Sequence, residues 1–147
     1  MQKITEIAAG GVLFRRGPRG PEVVVGAQQD RLTGARTLRL PKGKTHRRET
    51  LEQAALREVR EETGLAGRIV APLGRVDYSY GDAGSAVAKT VHFFLMELES
   101  GVAGSPDGEF AEIAWLPLDE ARRSLTYDTE RAMLERAAEQ LAARERA

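Results

Sequence analysis

The sequence predicts a single α/β domain, and three observations support this prediction. Runs rich in β-branched and aromatic residues alternate with segments whose apolar residues recur at helical spacing. The chain has 147 residues, enough for one domain with a hydrophobic core and too few for two. No internal repeat, low-complexity stretch or linker interrupts residues 1–147. We therefore expect one domain in which helices are interleaved with strands.

Six segments have the composition and the turn boundaries of strands. Gly10 and Gly11 are expected to break the first of them, and residues 42–49 are expected to form a loop before the first helix. The predicted strands cover residues 7–14, 22–26, 37–40, 68–80, 86–98 and 110–116.

Three helices are predicted. Thr50 and Gln53 have the spacing of an N-terminal capping box, and Gly64 is suited to a left-handed C-terminal cap, so the first helix covers residues 50–63. A short helix opens at residues 117–120, and the last covers residues 128–143.

The composition narrows the possible functions. The formal net charge is zero, so the molecule has no general affinity for nucleic acids or membranes. There are no cysteines, which excludes disulfides, thiolate metal sites and cysteine nucleophiles. Lys3 and Glu6 bring charge too early for a signal peptide, and no apolar run reaches membrane length. We expect a cytoplasmic protein without nucleic-acid or membrane partners.

Three glutamates crowd one side of the first predicted helix. At about 100° per residue, Glu58 and Glu62 lie one turn apart. They continue an apolar stripe that includes Ala55, and Glu61 lies on its flank. Three carboxylates within one turn repel each other and resist burial unless a positive charge neutralises them. A divalent cation would do so and indicates phosphate chemistry, whereas the alternative is an acidic helix face solvated by water.

These glutamates belong to a longer string with fixed spacing. It reads G-x5-E-x7-R-E-U-x-E-E-x-G-U, where U is a bulky aliphatic residue, from Gly43 through Glu49 to Leu65. Every fixed position matches, and here the chain resembles the Nudix hydrolase family; with further segments described below, the resemblance covers about residues 8–134. The resemblance implies an α/β/α sandwich with a mixed β-sheet and metal-dependent cleavage of phosphoric anhydride bonds.

The resemblance also implies roles for individual residues. Glu58, Glu61 and Glu62, with a backbone carbonyl near Gly43, would bind one or more Mg²⁺ or Mn²⁺ ions as the cofactor. One of the glutamates can act as a base toward water in the family, and we take Glu58 and Glu61 as the candidates. Arg57 is expected to orient a neighbouring glutamate through a charge-assisted hydrogen bond.

The acidic residues outside this helix have several interpretations. Glu49 is expected to have one of three roles. It steadies the junction of loop and helix, it lies in the outer shell of the metal, or it is an acid that favours the helix start. Glu109 lies six residues before Trp115, where family members often place a functional acid, and is the candidate for a further ligand or base. Glu112 is the rival, and the alternative for both is an ordinary surface acid.

The residues predicted to bind the phosphates are basic. Residues 40–44 and 89–95 resemble segments of the diadenosine polyphosphate and diphosphoinositol hydrolase branch, which selects Lys42, Lys44 and Lys89. A positive loop beside a metal-binding helix is suited to clamp a chain of phosphates, and a solvated loop is the alternative.

Aromatic residues are the candidates for base recognition. Tyr78, Tyr80 and Tyr127 each have a ring that can stack on a nucleobase, with core packing as the alternative. Residues 77–80 also resemble bacterial members described as nucleotide-cleaning enzymes. His92 lies within an apolar run and is expected to pack in the core or at its edge.

Two positions depart from the family pattern. Arg48 stands immediately before Glu49, where members commonly have glycine, and this leaves the path of the loop open. Leu38 stands three residues before Pro41, where a tryptophan is common, and this leaves base recognition open.

The favoured hypothesis is a metal-dependent pyrophosphohydrolase of dinucleoside polyphosphates, with a nucleotide-type small molecule as its partner. The second hypothesis is a nucleoside triphosphate pyrophosphatase that clears oxidised or non-standard nucleotides. Two hypotheses come from other classes, a non-catalytic nucleotide-binding regulatory domain and a structural domain with an acidic surface helix. Silent relatives usually lose glutamates of the string, and all of them are present here. The sequence does not predict the substrate, the number of metal ions or the oligomeric state.

Overall fold

The computed structural model describes residues 2–82 and 84–146, which form a β-sheet between two layers of helices. Seven strands occur in these ranges. The strands are β1 (Gln2–Gly17), β2 (Gly20–Gln29), β3 (Arg36–Arg39), β4 (Lys42–Lys44), β5 (Leu65–Asp82), β6 (Ser85–Gly101) and β7 (Glu112–Pro117). The helices are α1 (Leu51–Thr63), α2 (Leu118–Ser124) and α3 (Asp128–Arg146).

Strand β1 is the centre of the sheet. Five strands follow the order β3-β2-β1-β6-β5, while β4 pairs with β1 and β7 pairs with β2. The pairing of β1 with β6 is parallel and the other pairings are antiparallel. The sheet is therefore mixed, as predicted.

The two faces of the sheet pack against different helices. Successive residues of a strand point to opposite faces, so the neighbours Val12 and Leu13 of β1 enter two separate cores. Leu13 packs with Val59 of α1, and Val12 belongs to the cluster that includes Leu134 of α3. The predicted α/β/α sandwich is confirmed.

The expected break in the first strand is wrong, because β1 continues through Gly10 and Gly11. A Cβ at Gly10 would lie 2.3 Å from the carbonyl oxygen of Pro41, and one at Gly11 would lie 2.6 Å from the terminal methyl of Met96. The two glycines therefore allow close packing instead of interrupting the strand.

Other boundaries also differ from the prediction, since β1 (Gln2–Gly17) and β2 (Gly20–Gln29) are both longer than expected. Lys42–Lys44 is strand β4 and not loop, because it pairs with β1 opposite Ala8, Ala9 and Gly10. β5 runs from Leu65 to Asp82, longer than predicted, and absorbs three register shifts against β6. β7 begins two residues late, because the preceding loop holds the Phe110 N–H on the Ser105 hydroxyl.

Candidate active site

Local signals at both ends fix helix α1. The Gln53 N–H donates to the Thr50 hydroxyl at 3.1 Å, and the Thr50 N–H donates to the Gln53 side chain at 2.9 Å. Gly64 ends the helix with φ 76°, and its N–H donates to the Arg60 carbonyl. The predicted capping box and C-terminal cap are both confirmed. They set the rotation of the helix and hence the side on which its glutamates lie.

Arg57 contacts three glutamates of the string. Its Nε and Nη2 donate to the two carboxylate oxygens of Glu49 at 2.6 and 3.0 Å. Its Nη1 donates to Glu58 at 2.7 Å and to Glu61 at 3.1 Å. Nη2 also donates to the Lys44 carbonyl at 2.9 Å, which ties the helix to β4. The hydrogen bonds from Arg57, with one from a backbone N–H, lower the pKa of Glu49 to about 2.

Glu62 is the most deeply buried of the three glutamates in α1. It is 6% exposed, and one carboxylate oxygen accepts the Lys42 N–H at 3.0 Å. Burial raises the pKa of Glu62 to about 8, against the Lys42 hydrogen bond and with added repulsion from Glu58 and Asp107. Burial also raises the pKa of Glu58. An added positive charge would therefore stabilise the ionised carboxylates.

Glu58 and Glu61 lie on either side of the Arg57 guanidinium. The Glu58 side chain is 12% exposed and closes onto β4, where a Cβ on Gly43 would lie 2.1 Å from its Oε2. Only glycine at this position leaves room for the carboxylate. Glu61 is 47% exposed on the flank of the helix, as predicted from the helical spacing.

A narrow cleft of about 70 Å³ opens beside Glu62. It lies where α1, the ends of β2 and β3, the start of β4 and the loop before β7 meet. Its lining residues are Gln28, Arg39, Leu40, Lys42, Glu62, Glu109 and Phe110.

Of the two candidate acids of the β7 region, one lines the cleft and the other does not. Glu109 lines it together with Glu62, and its carboxylate accepts a hydrogen bond from Gln28 Nε2 at 3.1 Å. Glu112 instead forms an exposed ion pair with Arg36 at 2.8 Å.

Lys42 and Lys44 lie on β4 and Lys89 lies on β6, two strands that both pair with β1. Lys42 lines the cleft, and burial, with the charges of Arg39 and Lys89, lowers its pKa to about 8. Lys89 stands opposite Glu6 in the parallel pairing of β1 with β6. The Nζ of Lys44 lies 3.4 Å from the same Glu6, in an exposed ion pair.

The tyrosines occupy different environments. Tyr78 packs against the core, and its hydroxyl lies 3.3 Å from the Thr129 hydroxyl. Tyr80 is exposed near the tip of the β5–β6 hairpin. Tyr127 is also exposed and lies under the guanidinium of Arg39, whose central carbon is 4.5 Å from the ring centre. Tyr127 is therefore the tyrosine that lies next to a cleft residue.

Arg48 and Leu38, the two residues that depart from the family pattern, are both described by the structure. Arg48 adopts φ 69°, so the loop keeps a left-handed turn at a position where the side chain does not favour it. Leu38 packs, partly buried, against the hydrophobic core on the α3 side of the sheet.

Several residues of the site were not predicted from the sequence. Asp107 lies close enough to Glu58 and Glu62 to raise their pKa values, but the letters Ser-Pro-Asp-Gly indicate an ordinary turn. Arg39 and Gln28 line the cleft from β3 and β2. For Arg39 a signal was available, since it directly precedes the basic segment at residues 40–44.

The donor set fits a hard divalent cation. Carboxylate oxygens are the ligands that Mg²⁺ and Mn²⁺ prefer, and burial, followed by repulsion from neighbouring acids, raises the pKa values of Glu58 and Glu62. Within residues 2–82 and 84–146, no three Asp, Glu, His or Cys side chains converge on one metal position. The reason is that Arg57 holds Glu58 and Glu61, while the Lys42 N–H holds Glu62. To bind one cation together with Glu62, the side chains of Glu58 and Glu61 would have to rotate away from Arg57.

The sheet, the glutamate-bearing helix and the charged cleft belong to one α/β/α domain. The family model of the NUDIX domain matches residues 5–137, which is most of the chain. The chain therefore belongs to the Nudix family.

Two curated relatives support a hydrolase. A Mycobacterium tuberculosis protein named MutT4, described as a candidate mutator protein, is 40% identical over 137 residues, 92% of this chain. An 8-oxo-(d)GTP phosphatase of Mycolicibacterium smegmatis is 37% identical over 97 residues, 66% of this chain. The chain spans 55% of the length of the first relative and 29% of the second.

Solved structures share the fold. A NUDIX hydrolase from Nitrosomonas europaea has a TM-score of 0.72 at 20% identity, covering 93% of this chain and 90% of that one. A C. elegans Ap4A hydrolase binary complex has a TM-score of 0.68 at 19% identity, covering 94% and 98%. None of the helices in the described part of the chain has the length and hydropathy needed to cross a bilayer.

Proposed function

We propose that the chain is a metal-dependent hydrolase that cleaves phosphoric anhydride bonds of nucleotides. The observation that carries this proposal is the meeting of opposite charges in one cleft, where Glu62 lies beside Lys42 and Arg39. Carboxylates suit a hard cation, and basic side chains suit the phosphate oxygens that such a cation also binds. Bound here, Mg²⁺ or Mn²⁺ would neutralise phosphate charge and activate water.

The residues of α1 and β4 would hold the cation. Glu58, Glu61 and Glu62 supply carboxylate oxygens, and the carbonyl near Gly43 is a further candidate ligand. Arg57 keeps Glu58 and Glu61 oriented through its hydrogen bonds of 2.7 and 3.1 Å. To bind the cation, Glu58 and Glu61 would rotate away from the guanidinium, which in the metal-free chain offsets their mutual repulsion.

Glu109 is the proposed additional ligand or general base. A general base must come within hydrogen-bond reach of the water that it activates, and Glu109 lines the same cleft as Glu62. Gln28 restrains its carboxylate. Glu58 and Glu61 are the alternative bases.

Nucleoside triphosphates, including oxidised ones, are the first proposed substrate class. The names of the two curated relatives support this class, since one is an 8-oxo-(d)GTP phosphatase and the other is described as a candidate mutator protein. In this proposal Lys42 would bind the phosphates and Tyr127 would stack near the base.

Dinucleoside polyphosphates are the second candidate, and the lysines favour them. Lys42 and Lys44 on β4 and Lys89 on β6 lie on the two strands that pair with this part of β1, and Glu6 of β1 is beside Lys44 and Lys89. A row of cations of this length suits a longer chain of phosphates.

A substrate panel with Mg²⁺ or Mn²⁺ distinguishes the candidates by their products. An oxidised triphosphate is expected to give a monophosphate and pyrophosphate, whereas a symmetric dinucleotide would give two nucleotides. Turnover of only ADP-ribose or nucleotide sugars would reject both substrate classes. Binding without any turnover would instead indicate the regulatory nucleotide-binding domain.

The carboxylates provide the direct test of the site. Glu61→Gln or Glu62→Gln is expected to lower turnover by at least about a hundredfold, the typical loss when a principal electrostatic group is removed. Both variants should fold, because one of several repelling charges is gone. Glu52→Gln, on an exposed part of the same helix, is the matched control and should retain wild-type turnover. Near-wild-type hydrolysis by either site variant would refute these roles.

A further inference from the structure

Glu130 is a fully buried carboxylate that the proposed reaction does not use. It lies in the first turns of α3 and is 0% exposed. Its Oε1 accepts the Leu40 N–H at 2.8 Å, and its Oε2 accepts hydrogen bonds from Arg39. The Nε and Nη2 of Arg39 both lie 2.8 Å from that oxygen.

A buried ion pair of this kind is weak evidence for a purely stabilising role. Desolvation offsets much of its attraction, and apolar residues of the same volume often serve stability equally well. The role of Glu130 is therefore to be sought in the groups that it binds. It holds Arg39 and the backbone of Leu40, the two residues that lead into the cleft and β4.

Arg39 is restrained on a second side. Its guanidinium stacks on Tyr127, with its central carbon 4.5 Å from the ring centre. The side chain is 20% exposed, and it lines the cleft with Lys42 and Glu62. A guanidinium has more N–H donors than one carboxylate oxygen can accept, and its planar fork matches phosphate geometry.

We propose that Arg39 is a phosphate-binding residue of the substrate site, and that Glu130 and Tyr127 are positioning residues that aim its guanidinium into the cleft. The identity of the phosphate as part of a nucleotide rests on the proposed function. The chemistry recognised is a phosphate oxygen in the cleft beside Glu62. A helix from the far end of the sequence thus sets the geometry of the site.

The test measures binding separately from turnover. The probe is a nucleoside triphosphate with a methylene bridge between its α- and β-phosphates. It is titrated into the protein in the presence of Mg²⁺, and calorimetry measures its Kd. Arg39→Gln is expected to weaken its Kd by at least about tenfold, the scale of a charge-assisted hydrogen bond. Arg39→Lys should recover only part of this loss, because it restores the charge without the fork or the stack.

A double-mutant cycle then separates positioning from folding. Glu130→Gln retains an acceptor for the Leu40 N–H and is expected to weaken Kd several-fold in the wild-type background. In the Arg39→Gln background it should have no further effect, because its action passes through Arg39. In steady-state assays both changes should raise KM more than they lower kcat. Glu135→Gln is the matched control, since Glu135 lies on the same helix as Glu130 and forms an exposed pair with Arg122 of α2.

Each outcome decides the proposal. Unchanged Kd in Arg39→Gln, or additive effects in the cycle, would overturn it. Should Glu130→Gln fail to fold, Glu130→Asp replaces it in the same cycle, because it keeps the charge but draws the carboxylate back from Arg39. Loss of probe affinity in a chain that hydrolyses no nucleotide would reject the proposed function and leave this inference standing. Full turnover with an unaltered Kd in Arg39→Gln would overturn this inference and leave the proposed function standing.

Discussion

Arg48 shows how the loop before α1 tolerates a residue that its backbone does not favour. It is the non-glycine residue with positive φ in the described chain, at 69°. The left-handed conformation costs roughly 1–2 kcal/mol for a residue with a side chain. Its neighbours compensate, since the Glu49 carboxylate accepts the His46 N–H at 2.7 Å and binds Arg57.

Arg48→Gly is therefore expected to stabilise the protein. Glycine removes the left-handed strain but adds conformational freedom to the unfolded chain, so the net gain should be about 0.5–1 kcal/mol. The measurement is the free energy of unfolding in urea. Arg47→Gly is the control, because residue 47 does not have positive φ and glycine there should only destabilise. Equal losses in both variants would show that residue 48 carries no strain.

Strand β4 and helix α1 form one unit through a contact between Gly43 and Glu58. The helix brings the carboxylate against the strand, and the missing side chain of Gly43 admits it. The Arg57 bond to the Lys44 carbonyl holds the two segments together. The sequence string preserves both partners of the contact, although the strand itself was expected to be loop.

Gly43→Ala should therefore lower activity more than stability. The new methyl would lie 2.1 Å from Glu58 Oε2, and a flexible carboxylate can rotate away without unfolding the chain. We expect kcat/KM to fall at least about tenfold, because small misplacements of catalytic groups are costly. Gly104→Ala is the control, since a Cβ there meets nothing within 4 Å. Wild-type kcat/KM in Gly43→Ala would show that the position of Glu58 is unimportant.

Sequence reasoning succeeded where the determinants are local. The capping box at Thr50 and the glycine at residue 64 specify α1 within a few residues, and the three glutamates then follow from the helical period. It failed where a distant segment decides the outcome. Residues 42–44 become a strand only because β1 lies alongside, and Arg39 meets Glu130 across 91 positions of sequence.

The same distinction applies to the glycines of β1. From the sequence they indicate a break, since glycine weakens an isolated strand. In the folded chain both are buried against Pro41 and Met96, where any larger residue would clash. The role of the two glycines depends on packing between the layers, which no local sequence pattern indicates.

The burial of Glu62 results from the packing of the complete domain around the cleft, and it predicts how stability depends on pH. The pKa of Glu62 is about 8 in the folded chain and 4.5 for an unperturbed glutamate. Between these values the folded chain retains a proton that the unfolded chain releases, so stability should fall as pH rises. Lys42 acts oppositely, because its pKa of about 8 lies below the unperturbed 10.5. Its contribution is lost as pH falls from 10.5 to 8, so metal-free stability should be lowest near pH 8.

Urea unfolding with EDTA from pH 5 to pH 8 measures this effect. The wild type should lose on the order of 2 kcal/mol of stability across this range, less than the full pKa difference because the structure relaxes. Glu62→Gln keeps an acceptor for the Lys42 N–H but cannot ionise, so its profile should be much flatter. Adding Mg²⁺ at pH 8 should stabilise the wild type more than the variant, because the cation binds the ionised carboxylate. Parallel pH profiles for the two proteins would show that Glu62 ionises as freely as a surface glutamate, and the electrostatic basis for a cation at this site would be lost.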